Sequence, residues 1–199
     1  MLEFFLELDK NLFLFLNGLH TSWLDDVMFY ISQKETWVPL YLVILGLIIH
    51  RYKWRALLIM VFIALLITLS DQGSGFFKDT TMRFRPCHDP ELSELVHQVR
   101  NRCGGLFGFV SGHAANSFAF AVFMIFLLSD RLKFLTPFLI VWALAKSYSR
   151  IYMGVHYPGD VIGGIILGIL LGFLVIWLYQ KTVLWLEKRK KKSEPGSVA

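Results

Sequence analysis

The residues best suited to chemistry fall in three short clusters, far apart along the chain. Lys78 is followed seven residues later by Arg85-Pro86. Val110-Ser111-Gly112-His113 forms the second cluster. The third is Ser149-Arg150, then His156 and, four residues on, Asp160. Lys78, Arg85 and Arg150 supply three cations, and a planar guanidinium grips two phosphoryl oxygens at once. On a continuing helix Lys78 and Arg85 share one face two turns apart, and Pro86 then ends that helix. Ser111 and Gly112 precede a helix start, where unpaired N–H groups and the helix dipole favour an anion. No carboxylate cluster accompanies the cations, so the pattern implies phosphate held by protein alone, with neither a metal nor a cofactor.

Two histidines divide the proton work. Asp160 can reach back one helical turn to a nitrogen of His156, fixing its tautomer and freeing the other nitrogen to attack phosphorus. Pro158 suits the first turn of the helix that carries Asp160. His113, on a different helix, is free to protonate the leaving oxygen. In-line displacement through a phosphohistidine, completed by water, is the chemistry these residue types predict.

The elements that must position them are apolar. The 199 residues are 55% hydrophobic and 16% aromatic, with 18 Phe and only 18% charged, and mean hydropathy is +0.54. A disordered chain, a disulfide miniprotein and a nucleic-acid-binding tail are excluded by that balance, and the bilayer is the expected solvent. The fold class is all-α, a polytopic membrane bundle. Five stretches are candidate spans: Thr36–His50, Ala56–Phe77, Ala114–Leu128, Phe134–Ile151 and Asp160–Tyr179. Leu2–Leu19 and Trp23–Ser32 mix acids with aromatics and read as N-terminal amphipathic helices in the interface, with a sixth span in Leu2–Leu19 as the alternative. The expected organisation is one domain over 1–199, with N-terminal helices in 1–33, an exported loop in 86–110 and a basic tail in 181–199.

Five spans alternate their connections between two sides. One side holds Arg51, Lys53, Arg55, Arg131, Lys133 and the run Lys188-Arg189-Lys190-Lys191-Lys192 with nearby Lys181. The formal net charge of +5 therefore reads as a solvated membrane flank and not a nucleic-acid site, and the positive-inside rule makes that side, with the C-terminus, cytoplasmic. Glu3, Glu7 and Asp9 stand where a cleavable signal would need basic residues. All three chemical clusters then border the opposite, periplasmic side. Cys87 and Cys103 share its long loop, where an oxidising space favours a disulfide; two free thiols are the alternative.

The three clusters resemble the signatures of the type 2 phosphatidic acid phosphatase (PAP2) superfamily: Lys-x6-Arg-Pro, Pro-Ser-Gly-His and Ser-Arg-x5-His-x3-Asp. The first and third are complete here, and the second has Val110 in place of Pro. The likeness covers roughly Asp71 to Gly172 and points to the bacterial integral-membrane branch, in the inner membrane with its site facing the periplasm. It implies His156 as nucleophile, His113 as general acid and Asp160 in support. It likewise implies that Lys78, Arg85, Ser111, Gly112 and Arg150 hold the phosphoryl group, with no metal required. Membrane members act on lipid phosphates such as undecaprenyl diphosphate, phosphatidylglycerophosphate, phosphatidate or lipid A.

Other polar residues within the spans are candidates for a second shell. Asp71 and Lys146 share the site-facing stripes of their helices and pair with each other, or Lys146 meets a second phosphate; otherwise Lys146 snorkels and Asp71 makes a structural contact. Asn116 and Ser117 follow His113 by about one turn and either orient it or bond between helices. His88, His97, Arg100 and Arg102 bind a headgroup or are solvated, and Arg83 reads as a rim residue. Leu106, Phe107 and Phe109 are placed to seat a lipid tail. Gly164, Gly168 and Gly172 read as a helix-packing stripe. The expected function is phosphate-ester or diphosphate hydrolysis on a membrane lipid. A phosphotransferase sharing the phosphoenzyme, or a non-catalytic lipid-phosphate binder or transporter, is the alternative. Oligomeric state is not legible.

Overall fold

In the computed structural model the described residues are 2–193, so the end of the expected basic tail, 194–199, lies outside them. Seven α-helices make up the architecture of the described residues: α1 Leu2–Asn17, α2 Ser22–Ser32, α3 Val38–Tyr52, α4 Arg55–Thr81, α5 Gly112–Leu128, α6 Leu135–Tyr152 and α7 Pro158–Ser193. A single antiparallel bridge, Phe84 to Phe107, pinches the long loop between α4 and α5. The expected spans coincide with α3 to α7, and the two N-terminal segments are α1 and α2. The α7 helix overruns its expected end and carries the basic run outward as helix.

Two of these helices, Arg55–Thr81 and Pro158–Lys190, are long and apolar enough to cross a bilayer. The α5 helix is apolar but has 17 residues, and α3 has 15. At about 1.5 Å per residue α3 extends about 22 Å, short of a hydrocarbon core of about 30 Å. A 3-10 turn at Glu35–Trp37 runs directly into it. Lys146 and Arg150 lower the hydropathy of α6, and both face inward on the cavity described below.

Apolar side chains of α3 to α7 form the main core, with Ile48, Leu66, Phe123, Leu139 and Val175 almost fully enclosed. Tyr179 sits among Phe62, Phe123 and Phe126, edge-on to each. At the end carrying the α3–α4 turn, Arg51 meets Asp130 at 2.6 Å and Arg55 meets Glu187 at 2.8 Å. A smaller cluster seats α1, where Phe13 packs edge-on against Tyr157, and the Asn17 amide donates to the Tyr152 carbonyl at 2.8 Å.

The closest helix pair is α5 with α7. An added Cβ at Gly164 would lie 2.4 Å from the Ser111 carbonyl, and one at Gly168 only 2.3 Å from that of Ala115. The glycine stripe therefore permits backbone-to-backbone contact that any side chain would prevent. Replacing Gly168 by Ala is expected to force these helices apart. Overpacking of this kind costs about 1–3 kcal/mol, read as a lower thermal transition in detergent; an unchanged transition would refute the contact.

Candidate active site at one end of the bundle

Alternating helix directions bring the end of α4, the start of α5, the end of α6 and the start of α7 to one face. The α4 helix stops before the first motif is complete. Met82 adopts a left-handed conformation (φ 46°, ψ 32°) and its amide returns to the Lys78 carbonyl at 3.0 Å. Lys78 and Arg85 therefore do not share a helical face, contrary to expectation. Pro86 bars helical geometry at the residue before it, and Arg85 is extended (φ −72°, ψ 155°). The loop turns it back instead: its amide donates to the Leu106 carbonyl at 3.1 Å, and its guanidinium donates to Phe107 O at 3.1 Å and Cys103 O at 3.2 Å. Cys103 is joined to Cys87 as a disulfide, which fastens the base of that seat.

A cavity of about 590 Å³ opens among these segments, and Lys78, Arg85, Gly112, His113, Arg150 and His156 all line it. Both imidazoles and all three expected cations thus face one space. Ser111 and Asp160 stand behind it, and both are fully buried. The Ser111 hydroxyl caps α5 by accepting from the Ala114 amide at 3.5 Å, and the Ser111 amide donates to the Asp160 carbonyl at 2.9 Å. Nδ1 of His156 faces Oδ2 of Asp160 at 3.4 Å. The Tyr157 amide donates to that same oxygen at 3.0 Å. The His156 ring also hydrogen-bonds the Gly108 backbone, and the residue lines the cavity. The Arg150 guanidinium donates to the Ser32 hydroxyl, which ties α6 to α2, and its Nε has no protein partner among the described residues.

Burial pushes the His156 imidazole well below its ordinary value, and the charges of Arg85, Arg150 and Lys78 push it further. It is therefore a neutral ring at neutral pH, with a lone pair available.

The remaining candidates line the same cavity one or two turns further in. Asp71 and Lys146 do not pair. The Asp71 carboxylate accepts from the Asn116 amide at 2.7 Å, a structural contact between α4 and α5. Lys146 is buried, with its ammonium 5.4 Å from the Trp142 ring centre, so it does not snorkel. His88, His97, Arg100 and Arg102 do not line the cavity, and Arg100 and Arg102 are exposed, as the solvated alternative has it. His97 stacks on His20 with ring centres 3.7 Å apart and faces Asp25 at 2.9 Å. Arg100 pairs with Asp26 at 2.7 Å, so the loop is stitched to α2. Phe107 pairs with Phe84 and Phe109 with Phe77, which makes them loop packing.

Arg83 is no rim residue. It donates to Asp160 Oδ1 at 2.9 Å and to Asp9 Oδ2 at 2.7 Å. Its charge was the visible signal, but its partners lie 74 and 77 residues away. Lys34, which also lines the cavity, was likewise missed, because nothing local marks the α2–α3 connection as close to the site. Among the described residues, Cys87, His88 and Cys103 bring metal-ligating atoms closest together. Their two sulfurs are committed to the disulfide and offer no thiolate.

A helical bundle with a cation-lined, two-histidine cavity at one end defines a class of membrane phosphatase, and comparison with known proteins agrees. The model of the PAP2 superfamily matches residues 52–184. A lipid A 4'-phosphatase of Bacteroides thetaiotaomicron is 43% identical over 166 residues, 81% of this chain and 72% of that protein. A lipid A 4'-phosphatase of Porphyromonas gingivalis is 37% identical over 165 residues, 81% of this chain and 68% of that protein. Among solved structures, a transmembrane PAP2-type phosphatidylglycerolphosphate phosphatase from Bacillus subtilis superposes with a TM-score of 0.68 at 27% identity, over 88% of this chain and 86% of that one. Aquifex aeolicus LpxE shares the fold, with a TM-score of 0.62 at 24% identity over 83% of this chain and 93% of that one. The chain belongs to the PAP2 superfamily, and it is a lipid phosphatase of that type.

Proposed function

We propose that this enzyme removes a phosphate from a lipid A-type glycolipid, at the periplasmic face of the inner membrane, without a metal. The observation that carries the reading is the single cavity lined by His113, His156, Lys78, Arg85 and Arg150. Identity of 43% to a protein named lipid A 4'-phosphatase supports lipid A as the substrate class.

In the proposed reaction the three cations hold the non-bridging phosphoryl oxygens, assisted by the backbone at Gly112. Nε2 of His156 attacks phosphorus in line, the bond to the sugar oxygen breaks, and His113 delivers a proton to that oxygen. Positive charge on the phosphorylated ring is balanced by Asp160 at Nδ1. Water, giving its proton to His113, then attacks phosphorus and releases inorganic phosphate with His156 restored. Preorganised cations in a site screened from water stabilise the transferring group strongly.

Five spans, α3 to α7, are proposed to cross the bilayer, with α1 and α2 in the outer interface and the basic end of α7 in the cytoplasm. The apolar part of the cavity, lined by Tyr41, Ile44, Ile48, Met60 and Ile63, then runs into hydrocarbon and accommodates acyl chains.

The test is phosphate release by purified protein in detergent with a chelator present. The substrates are lipid A, phosphatidylglycerophosphate, undecaprenyl diphosphate and phosphatidate. Fastest release from lipid A, undiminished by chelator, is expected. Preference for another lipid would overturn the substrate, and loss with chelator would overturn the metal-free reaction. Phosphate appearing on an added lipid acceptor in place of water would reassign the enzyme as a transferase.

A further inference from the structure

The carboxylate behind the proposed nucleophile is itself held by a chain of charges that begins on α1. Asp160 is fully enclosed, and a buried carboxylate is costly unless it is paired and hydrogen-bonded. Its two oxygens are used differently. Oδ2 accepts from the Tyr157 amide and faces His156, whereas Oδ1 accepts from Arg83 at 2.9 Å. The other terminal nitrogen of Arg83 donates to Oδ2 of Asp9 at 2.7 Å. Oδ1 of Asp9 accepts from the Gly159 amide, also at 2.7 Å. The Arg83 guanidinium lies over the Tyr157 ring, 4.3 Å from its centre. The Tyr157 hydroxyl in turn donates to Asp89 at 2.7 Å. Gly159 has to be glycine for Asp9 to reach it, since a Cβ there would lie 2.7 Å from the Asp9 carboxylate.

We propose that Arg83 and Asp9 are positioning residues for the reaction. Arg83 fixes the rotation of the Asp160 carboxylate so that Oδ2 is presented to Nδ1 of His156, and it offsets part of that carboxylate's charge. Asp9 holds Arg83 in place and braces the first turn of α7. The N-terminal helix, outside the residues 52–184 that carry the superfamily match, is thereby part of the catalytic apparatus. The inference rests on His156 being the nucleophile.

Arg83→Gln removes the fork and its charge, and supporting contacts of this kind are typically worth about 10- to 100-fold in activity. The expected loss is in kcat, with KM little changed. Loss of a cation near His156 and Asp160 makes both hold a proton more tightly, so the acid limb of the kcat–pH profile moves to higher pH. Arg83→Lys keeps the charge but not the two-pronged geometry: kcat falls while the acid limb stays where it is. Asp9→Asn lowers kcat in the wild-type background and adds nothing in the Arg83→Gln background. A structural role alone would leave the pH profile unmoved, and that result would overturn the proposal. So would a change confined to KM, or additive losses in the double variant. Should Arg83→Gln fail to fold in detergent, the Lys variant and the Asp9→Asn profile decide the matter by the same criteria. Phosphoenzyme trapping separates the two levels of the argument. A label that persists in His156→Ala removes the nucleophile assignment, whereas an unaltered Arg83→Gln alongside an unlabelled His156→Ala removes only this inference.

Discussion

Replacing His156 by alanine is expected to reduce phosphate release by at least about 10^4-fold, the scale on which enzymes lose a covalent nucleophile. The variant should elute and melt as a folded protein in detergent, and it should form no phosphoenzyme under an alkaline quench that preserves phosphohistidine. A label on any other residue, or activity within about tenfold of wild type, would reject the assignment. The pH dependence has a definite sign. Burial and three nearby cations hold the His156 pKa well below 6.5, so the ring stays neutral and nucleophilic as the pH falls through 6.5. The acid limb due to this group in the free enzyme therefore lies below pH 6.5, and it is read in the kcat/KM profile. Stability falls in the same direction, from a higher pH. Below pH 6.5 the unfolded chain binds a proton at this position that the folded chain does not, so stability from His156 is present above 6.5 and declines with acid.

His113→Ala should cost about 10²- to 10⁴-fold with a sugar-phosphate substrate, the usual range for a lost general acid. The informative comparison is with an aryl phosphate such as p-nitrophenyl phosphate, whose leaving group departs without protonation. There the first step should recover by tenfold or more relative to wild type. The second step still needs His113 to take a proton from water, so a burst of nitrophenol and an accumulated phosphoenzyme are expected. An equal loss with both substrates and no burst would place His113 in binding and not in proton transfer. At the start of the reaction His156 must be neutral and His113 must hold a proton, and the negative charge of the incoming phosphate favours that proton on His113.

Much of this arrangement was legible in the chain because it depends on local patterning. Long apolar stretches broken by basic turns mark α3 to α7, and the order of the three motifs puts every chemical cluster at the same end once the helices alternate. The glycines at 164 and 168 announce close packing because only their absence of side chain allows the contact. What was not legible depends on partners far off in the chain. Arg85 was placed by helical periodicity, yet Pro86 and the left-handed Met82 break that period and hand its position to the loop. Arg83 looked peripheral because its face was judged on a helix that ends at Thr81. Its partner Asp9 sits on a segment whose amphipathic pattern reports only that one side is wet. Lys146 and Asp71 were the nearest opposite charges by stripe, but Asn116 lies closer across the helix pair and claims the carboxylate.

The narrow spacing of α5 and α7 has a consequence for how such an enzyme can change. The distance between the two reacting rings is gauged by main chain resting on main chain, through Gly164, Gly168 and the Ser111–Asp160 link. Most of the wall against which a lipid would lie belongs to other helices, at Ile44, Ile48, Met60 and Ile63. Mutational drift can resculpt that wall, admitting bulkier or slimmer tails, while the strut that sets the chemistry keeps its calibration.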